Sequence, residues 1–132
     1  MDYPIKILMA FALTFYEKGT EFRQWLMDNG YPELSALSDA VKGGKSAFKW
    51  LMDNKFYHFA AFDSAIDGKE EAKQWLLKFH FDILALTAAA VNKDADAIRI
   101  LTDRDLRIYI IIAEKIRHSL ENNRFDYHKL PI

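Results

Sequence analysis

The sequence predicts an all-α fold, an αα-hairpin repeat of about nine helices with a period of about 25 residues. Three observations carry this. Trp25, Trp50 and Trp75 are evenly spaced, and Trp25-Leu26-Met27-Asp28-Asn29 recurs as Trp50-Leu51-Met52-Asp53-Asn54. Apolar residues recur at i, i+3 and i+4, as helices burying one face require, and no stretch alternates as a strand would. Glycine or Asn-Lys separates the units at Gly19, Gly43-Gly44, Gly68 and Asn92-Lys93, where a helix end calls for a left-handed residue. A lone hairpin of this size cannot bury its apolar stripe, but stacked hairpins can, so the pattern reads as a solenoid-like array.

The first element is the apolar stretch Ile5–Tyr16. It follows Asp2, has only Lys6 as a positive flank, and leads into Glu17-Lys18-Gly19 rather than a small-x-small cleavage site. It is too short to span a bilayer and reads as a buried capping helix within residues 1–20. Extending the repeat backward aligns Met9 with Leu34, Phe11 with Ala36 and Tyr16 with Val41.

Residues 21–95 hold three clear repeats. The first helix of a unit buries Phe22, Trp25 and Leu26, or Ala72, Trp75 and Leu76, with Arg23, Gln24, Lys73 and Gln74 outside. The tryptophans read as core anchors, so Trp50→Ala is expected to cost about 3–5 kcal/mol. The second helix buries Leu34, Leu37 and Val41, or Phe59, Phe62 and Ile66. Thr20, Asp94 or Asp96, and Asp103 suit N-caps, and Asn29 and Asn54 suit left-handed helix ends. Tyr31, Phe56, Phe81 and Leu106 precede second helices as hydrophobic staples. Residues 96–122 form a divergent fourth unit with Ile100 at the tryptophan position, and residues 123–132 form a tail. Residues 1–132 make one domain, a length that supports a core without staples.

With 51% hydrophobic and 28% charged residues the chain is globular, and a net charge of -1 gives no pull toward nucleic acid or anionic membrane. Having no cysteine, it has no disulfides, thiol catalysis or cysteine zinc sites. That fits a reducing compartment, and a cytoplasmic location is expected.

The stretch Phe59-Ala60-Ala61, Ala65-Ile66-Asp67-Gly68 and Glu71-Ala72-Lys73-Gln74-Trp75-Leu76-Leu77 resembles an ankyrin repeat. That family has a helix ending in a Leu-Ala-Ala run, a glycine turn, and a second helix with paired leucines. The resemblance covers roughly residues 21–102. The Thr-Pro-Leu-His motif is missing and the shorter period leaves no room for the β-hairpin loop, so the likeness is to a short, ankyrin-like αα-solenoid. It implies protein binding and carries over no functional residues.

Catalytic patterns are absent. His58, His80, His118 and His128 share no i, i+4 face, show no His-Glu-x-x-His spacing, and read as solvated surface residues. Gly43-Gly44-Lys45-Ser46 lacks the preceding strand of a phosphate loop and has Asp39 where the first glycine belongs. Carboxylates cluster at helix ends, where they offset the dipole. No cofactor or metal is expected.

What varies among the units is the start of the second helix. Glu33 becomes His58, Ile83 and Ile108, while Ser35 becomes Ala60, Ala85 and Ile110. Leu106, Ile108, Tyr109, Ile110, Ile111 and Ile112 make the last helix apolar nearly all round, which calls for cover on more than one side. Either the tail folds back with Phe125, Tyr127, Leu130 and Ile132, or a second copy covers the helix as a homodimer.

The resulting expectation is a non-enzymatic protein–protein interaction module binding a protein or peptide through Tyr57, His58, His80, Phe81, Arg104, Arg107 and Ile108. One alternative is a nucleic-acid binder using Arg99, Arg104, Arg107, Arg117 and Arg124, which the interleaved Asp103, Asp105, Glu114, Glu121 and Asp126 oppose. Another is a small-ligand protein or enzyme, which needs histidines and carboxylates converging in a pocket.

Overall fold

The computed structural model describes residues 3–16 and 19–129, with side chains through residue 122. The described residues form nine α-helices and no strand: α1 (Ile5–Leu13), α2 (Gly19–Asp28), α3 (Pro32–Val41), α4 (Lys45–Asp53), α5 (Tyr57–Ile66), α6 (Glu70–Lys78), α7 (Asp82–Val91), α8 (Ala95–Asp103) and α9 (Arg107–Lys129). Odd-numbered helices pack on one another in chain order and form an inner row. Each even-numbered helix lies outside, across two successive inner helices.

The inner row closes on itself, because α1 packs against α9. Across that joint the Lys115 ammonium donates to the Tyr16 hydroxyl and sits 4.4 Å from the centre of the Tyr16 ring. The two ends of the array therefore cover each other. The last helix packs against α1 and α7, and α9 itself continues through Lys129, past the expected start of the tail at residue 123. The side chains of Phe125 and Tyr127, together with Leu130 and Ile132, lie outside the described residues.

Burial repeats with the sequence. Leu34, Phe59, Leu84 and Tyr109 are buried, as are Val41, Ile66, Val91 and Ile116. In α1 the positions matching Leu34, Leu37 and Val41 are Leu8, Phe11 and Phe15, each one residue earlier than the period places it. The expected backward alignment through Met9 is thus off by one. Gly19 and Gly44 keep the period, so the connector from α1 to α2 carries the extra residue. Gly19 does not end a helix in the left-handed region; it sits in the first turn of α2, where a Cβ would lie 1.9 Å from the Thr14 carbonyl oxygen.

The tryptophans are not the core anchors. Leu26, Leu51, Leu76 and Leu101 are fully buried, whereas Trp50 is 37% exposed and Trp25 and Trp75 are half-buried. Their rings cover the turns instead. Trp50 stacks on Phe56 with centroids 5.8 Å apart, and Trp75 on Phe81 at 5.9 Å, the ring planes nearly parallel in both pairs. Phe56 and Phe81 hold the N-cap positions of α5 and α7 without a side-chain cap bond, so they support the turn through ring contacts rather than as staples one residue earlier.

Every hairpin turn is built alike. Gly30, Lys55, His80 and Asp105, each one period from the next, all have positive φ. After each, the amide of Tyr31, Phe56, Phe81 or Leu106 donates back to the carbonyl of Leu26, Leu51, Leu76 or Leu101. This six-to-one bond closes the outer helix in a Schellman motif. Gly43, Gly68 and Lys93 end α3, α5 and α7 in the same way. Asn29 and Asn54 are therefore not the left-handed residues; their side chains donate to the carbonyls of Trp25 and Trp50, each at 2.8 Å. Of the expected N-caps, Asp94 accepts from the amides of Asp96 and Ala97, while Thr20 lies inside α2 and Asp103 ends α8.

One buried group breaks the pattern. Asp63 is only 9% exposed, at a position where the other inner helices have Ala12, Ser38, Ala88 and Ala113. Burial pushes its carboxyl up to about 7, with Asp67 adding to the shift and Lys69 opposing it.

Candidate docking grooves

The outer helices leave the outward face of each inner helix partly open, and the openings recur in register. A groove of about 450 Å³ lies over α5, floored by Tyr57, Ala60, Ala61 and Ser64 and walled by Phe48 and Met52 of α4 and by Ala72 and Trp75 of α6. A second, about 310 Å³, lies over α7. Its floor of Asp82, Ala85, Leu86 and Ala89 and its walls, Lys73 and Leu77 on one side and Ala97 and Ile100 on the other, are the same positions one period later. Ala60, Ala61 and Ser64, and Ala85 and Ala89, leave room in the floors, while Phe48, Met52, Trp75, Leu77 and Ile100 supply contact area in the walls, the combination that apolar side chains of a partner fill.

The equivalent places over α1 and α3 differ from these two grooves. Over α1, Lys6, Met9, Ala10 and Leu13 face Glu21, Phe22 and Trp25 across about 540 Å³, a space with no wall from a preceding outer helix. Over α3 the equivalent place is crossed by an ion pair. Arg23 stands where the next units have Phe48 and Lys73, Asp39 where they have Ser64 and Ala89, and the two charges meet at 2.7 Å.

Exposed apolar residues follow the same repeat. Met27, Met52 and Leu77 are 51%, 41% and 40% exposed at equivalent positions near the ends of α2, α4 and α6. A helix end facing water gains nothing from a large apolar residue there, so the row is not explained by folding.

The residues expected from sequence to bind a partner are divided by the structure. Tyr57 and Arg104 line the grooves over α5 and α7. His58 is half-buried, not solvated, with its ring centre 4.3 Å from Phe59 and 5.0 Å from Phe81. Burial lowers its pKa and Glu33 opposes that shift, and the ring stacks against Phe81 as an aromatic would. Phe81 belongs to the same stack beneath Trp75. His80 is the exposed left-handed residue of its turn, while Arg107 and Ile108 begin α9 away from both grooves. His118 lies well within α9 beside Asn122, and His128 is among the undescribed side chains.

Phe48, Met52, Ser64, Trp75, Leu77 and Ile100 escape the sequence reading. The signal for them was the apolar residue at positions 27, 52 and 77, directly after the buried leucine.

At the edge where the inner helices begin, the Tyr3 hydroxyl donates to Glu33 at 2.9 Å and its ring stands 5.8 Å from Tyr31. Burial, the Glu33 hydrogen bond and the Glu33 charge all raise the Tyr3 pKa. Among the described residues, no group of three or more His, Asp and Glu side chains is placed to hold a metal ion. No described helix is long and apolar enough to cross a membrane.

Family models, curated proteins and solved structures give no match to this chain. The ankyrin resemblance therefore rests on the sequence, and among the described residues no strand stands where an ankyrin repeat carries its hairpin.

Proposed function

We propose that the chain is a non-enzymatic protein-interaction module that holds the bulky apolar side chains of a partner segment in the grooves over α5 and α7. The observation that carries this reading is the repetition itself: the same floor and wall positions open twice, one unit apart, beside the exposed row Met52 and Leu77. Two sockets one repeat apart suit a partner that crosses successive hairpins. Successive inner helices pack about 8–10 Å apart, so the anchors of such a partner are spaced by roughly that distance. Arg104 and Lys73 at the second groove, and Glu71 at the first, supply polar rims that set orientation more than affinity.

The test is affinity capture from the native host with the wild type and with Met52→Lys/Leu77→Lys in parallel. Both positions are exposed, so the variant is expected to keep the wild-type melting temperature while losing the captured protein. Capture of the same proteins by both forms contradicts docking in the grooves.

A further inference from the structure

Five joints link neighbouring helices of the closed inner row, and four are covered. α2 spans α1 and α3, α4 spans α3 and α5, α6 spans α5 and α7, and α8 spans α7 and α9. Among the described helices, none lies across α9 and α1. The residues at this bare joint differ from their counterparts elsewhere. Ala40, Ala65 and Ala90, buried where an outer helix rests, are replaced in α9 by Lys115, which folds onto Tyr16. Ser35, Ala60 and Ala85 are replaced by Ile110, which is half-exposed, while Ile111, also half-exposed, follows Ala36, Ala61 and Leu86. Met9 and Leu13 of α1 are also half-exposed, and Tyr16 is 45% exposed.

We propose that this face is an isologous interface between two copies of the chain. The charges single out that occupant. Arg107, Ile110, Ile111 and Glu114 share one stripe of α9 at i, i+3, i+4 and i+7, with both charged residues exposed and neither ion-paired among the described residues. Along this stretch of α9 a cation at Arg107, two isoleucines and a carboxylate at Glu114 follow one another. A two-fold axis lying in the face and running across the helices brings α9 against α9 of the second copy in antiparallel fashion. Arg107 then meets Glu114 of the other copy twice, and the isoleucines meet between them, as self-complementarity in a two-fold dimer demands. A different partner would need no such palindrome of charge.

The Lys115–Tyr16 pair fits this placement. It closes the joint with a thin lid of side chains where a further outer helix would have required alanine, leaving α9 and α1 level enough for a second copy. The grooves over α5 and α7 stay outside the interface, so dimerisation and groove docking are independent.

Sedimentation velocity over a dilution series of the full chain tests the proposal. The expected result is a concentration-dependent species of twice 15.4 kDa. Arg107→Glu and Glu114→Arg are each expected to weaken it at least about tenfold, since each leaves two like-charged contacts at the interface. The swapped double variant R107E/E114R is expected to dimerise like the wild type. Both residues are exposed, and circular dichroism with thermal melts verifies that the variants fold. A monomer at every concentration, or a dimer indifferent to the reversals, or a double variant no stronger than the singles, overturns the proposal. The monomer outcome would assign the bare joint to a different protein.

Discussion

Replacing Asp63 by Asn is expected to change how stability depends on pH. The carboxyl is buried at a position that is otherwise Ala or Ser, and its folded-state pKa is raised to about 7. In the unfolded chain an Asp titrates near 3.9. The folded form thus binds a proton that the unfolded form has released, and the stabilisation present below about pH 4 is lost as pH rises to about 7, then stays constant. A shift of roughly three units corresponds to about 4 kcal/mol as an upper bound, and water reaching the partly open carboxyl reduces that to about 2–3 kcal/mol. Asn has nearly the shape of the protonated acid and no charge to desolvate. Urea unfolding of both forms at pH 4, 6 and 8 is the assay. At pH 4 the two midpoints are expected to agree closely, and at pH 8 the Asn form is expected to be more stable by about 2–3 kcal/mol. A difference that does not grow with pH would refute the burial of Asp63 as the cause.

Leu51→Ala is expected to destabilise by about 2–5 kcal/mol because it empties a fully buried site, and Trp50→Ala by only about 1–2 because the ring is partly exposed and stacked on one neighbour. Chemical denaturation of the pair reads the order directly; a larger loss at Trp50 would return the tryptophan to the core. Lys55→Gly and Lys93→Gly, at φ 65 and 67, are each expected to stabilise by about 0.5–1 kcal/mol in thermal melts, since glycine removes the cost of the left-handed conformation. No gain at either site would argue against the Schellman ends.

The repeat and its helices were legible because burial follows the sequence period: a leucine at 26, 51, 76 and 101 and an apolar residue at 34, 59, 84 and 109 fill the same places in successive units. What was misread came from local chemistry that the period does not separate. Trp25 and Leu26 are adjacent, and an i, i+3, i+4 stripe accepts both, so only the packing tells which ring covers a turn and which side chain fills the core. Asn29 and Gly30 pose the same problem at a helix end, and there the backbone chose the second. The one-residue shift of α1 hid in a connector whose length has no periodic mark.

The closure of the array was not legible at all. It depends on how far each hairpin turns relative to the last, a rotation that accumulates over the units and leaves no trace in any one of them. For the same reason Tyr57 and Arg104 could be picked out one at a time, while Phe48, Met52 and Trp75 joined them only once neighbouring hairpins stood side by side. The apolar character of α9 was read as a demand for cover, and α1, at the other end of the chain, packs on one side of it.

The contact between α1 and α9 is the feature on which the bare joint and the mutual covering of the ends both depend. A chain without cysteine takes spin labels at chosen sites only, so Ile5→Cys/Arg107→Cys places one label at the start of α1 and one at the start of α9. Diluted with unlabelled protein to isolate pairs within one chain, the closed row is expected to give a single distance of about 15–25 Å, since packed helices lie about 8–10 Å apart and the label arms add the rest. An open array would separate the same helices by four such steps, about 40 Å, and a distribution centred there would contradict the closure.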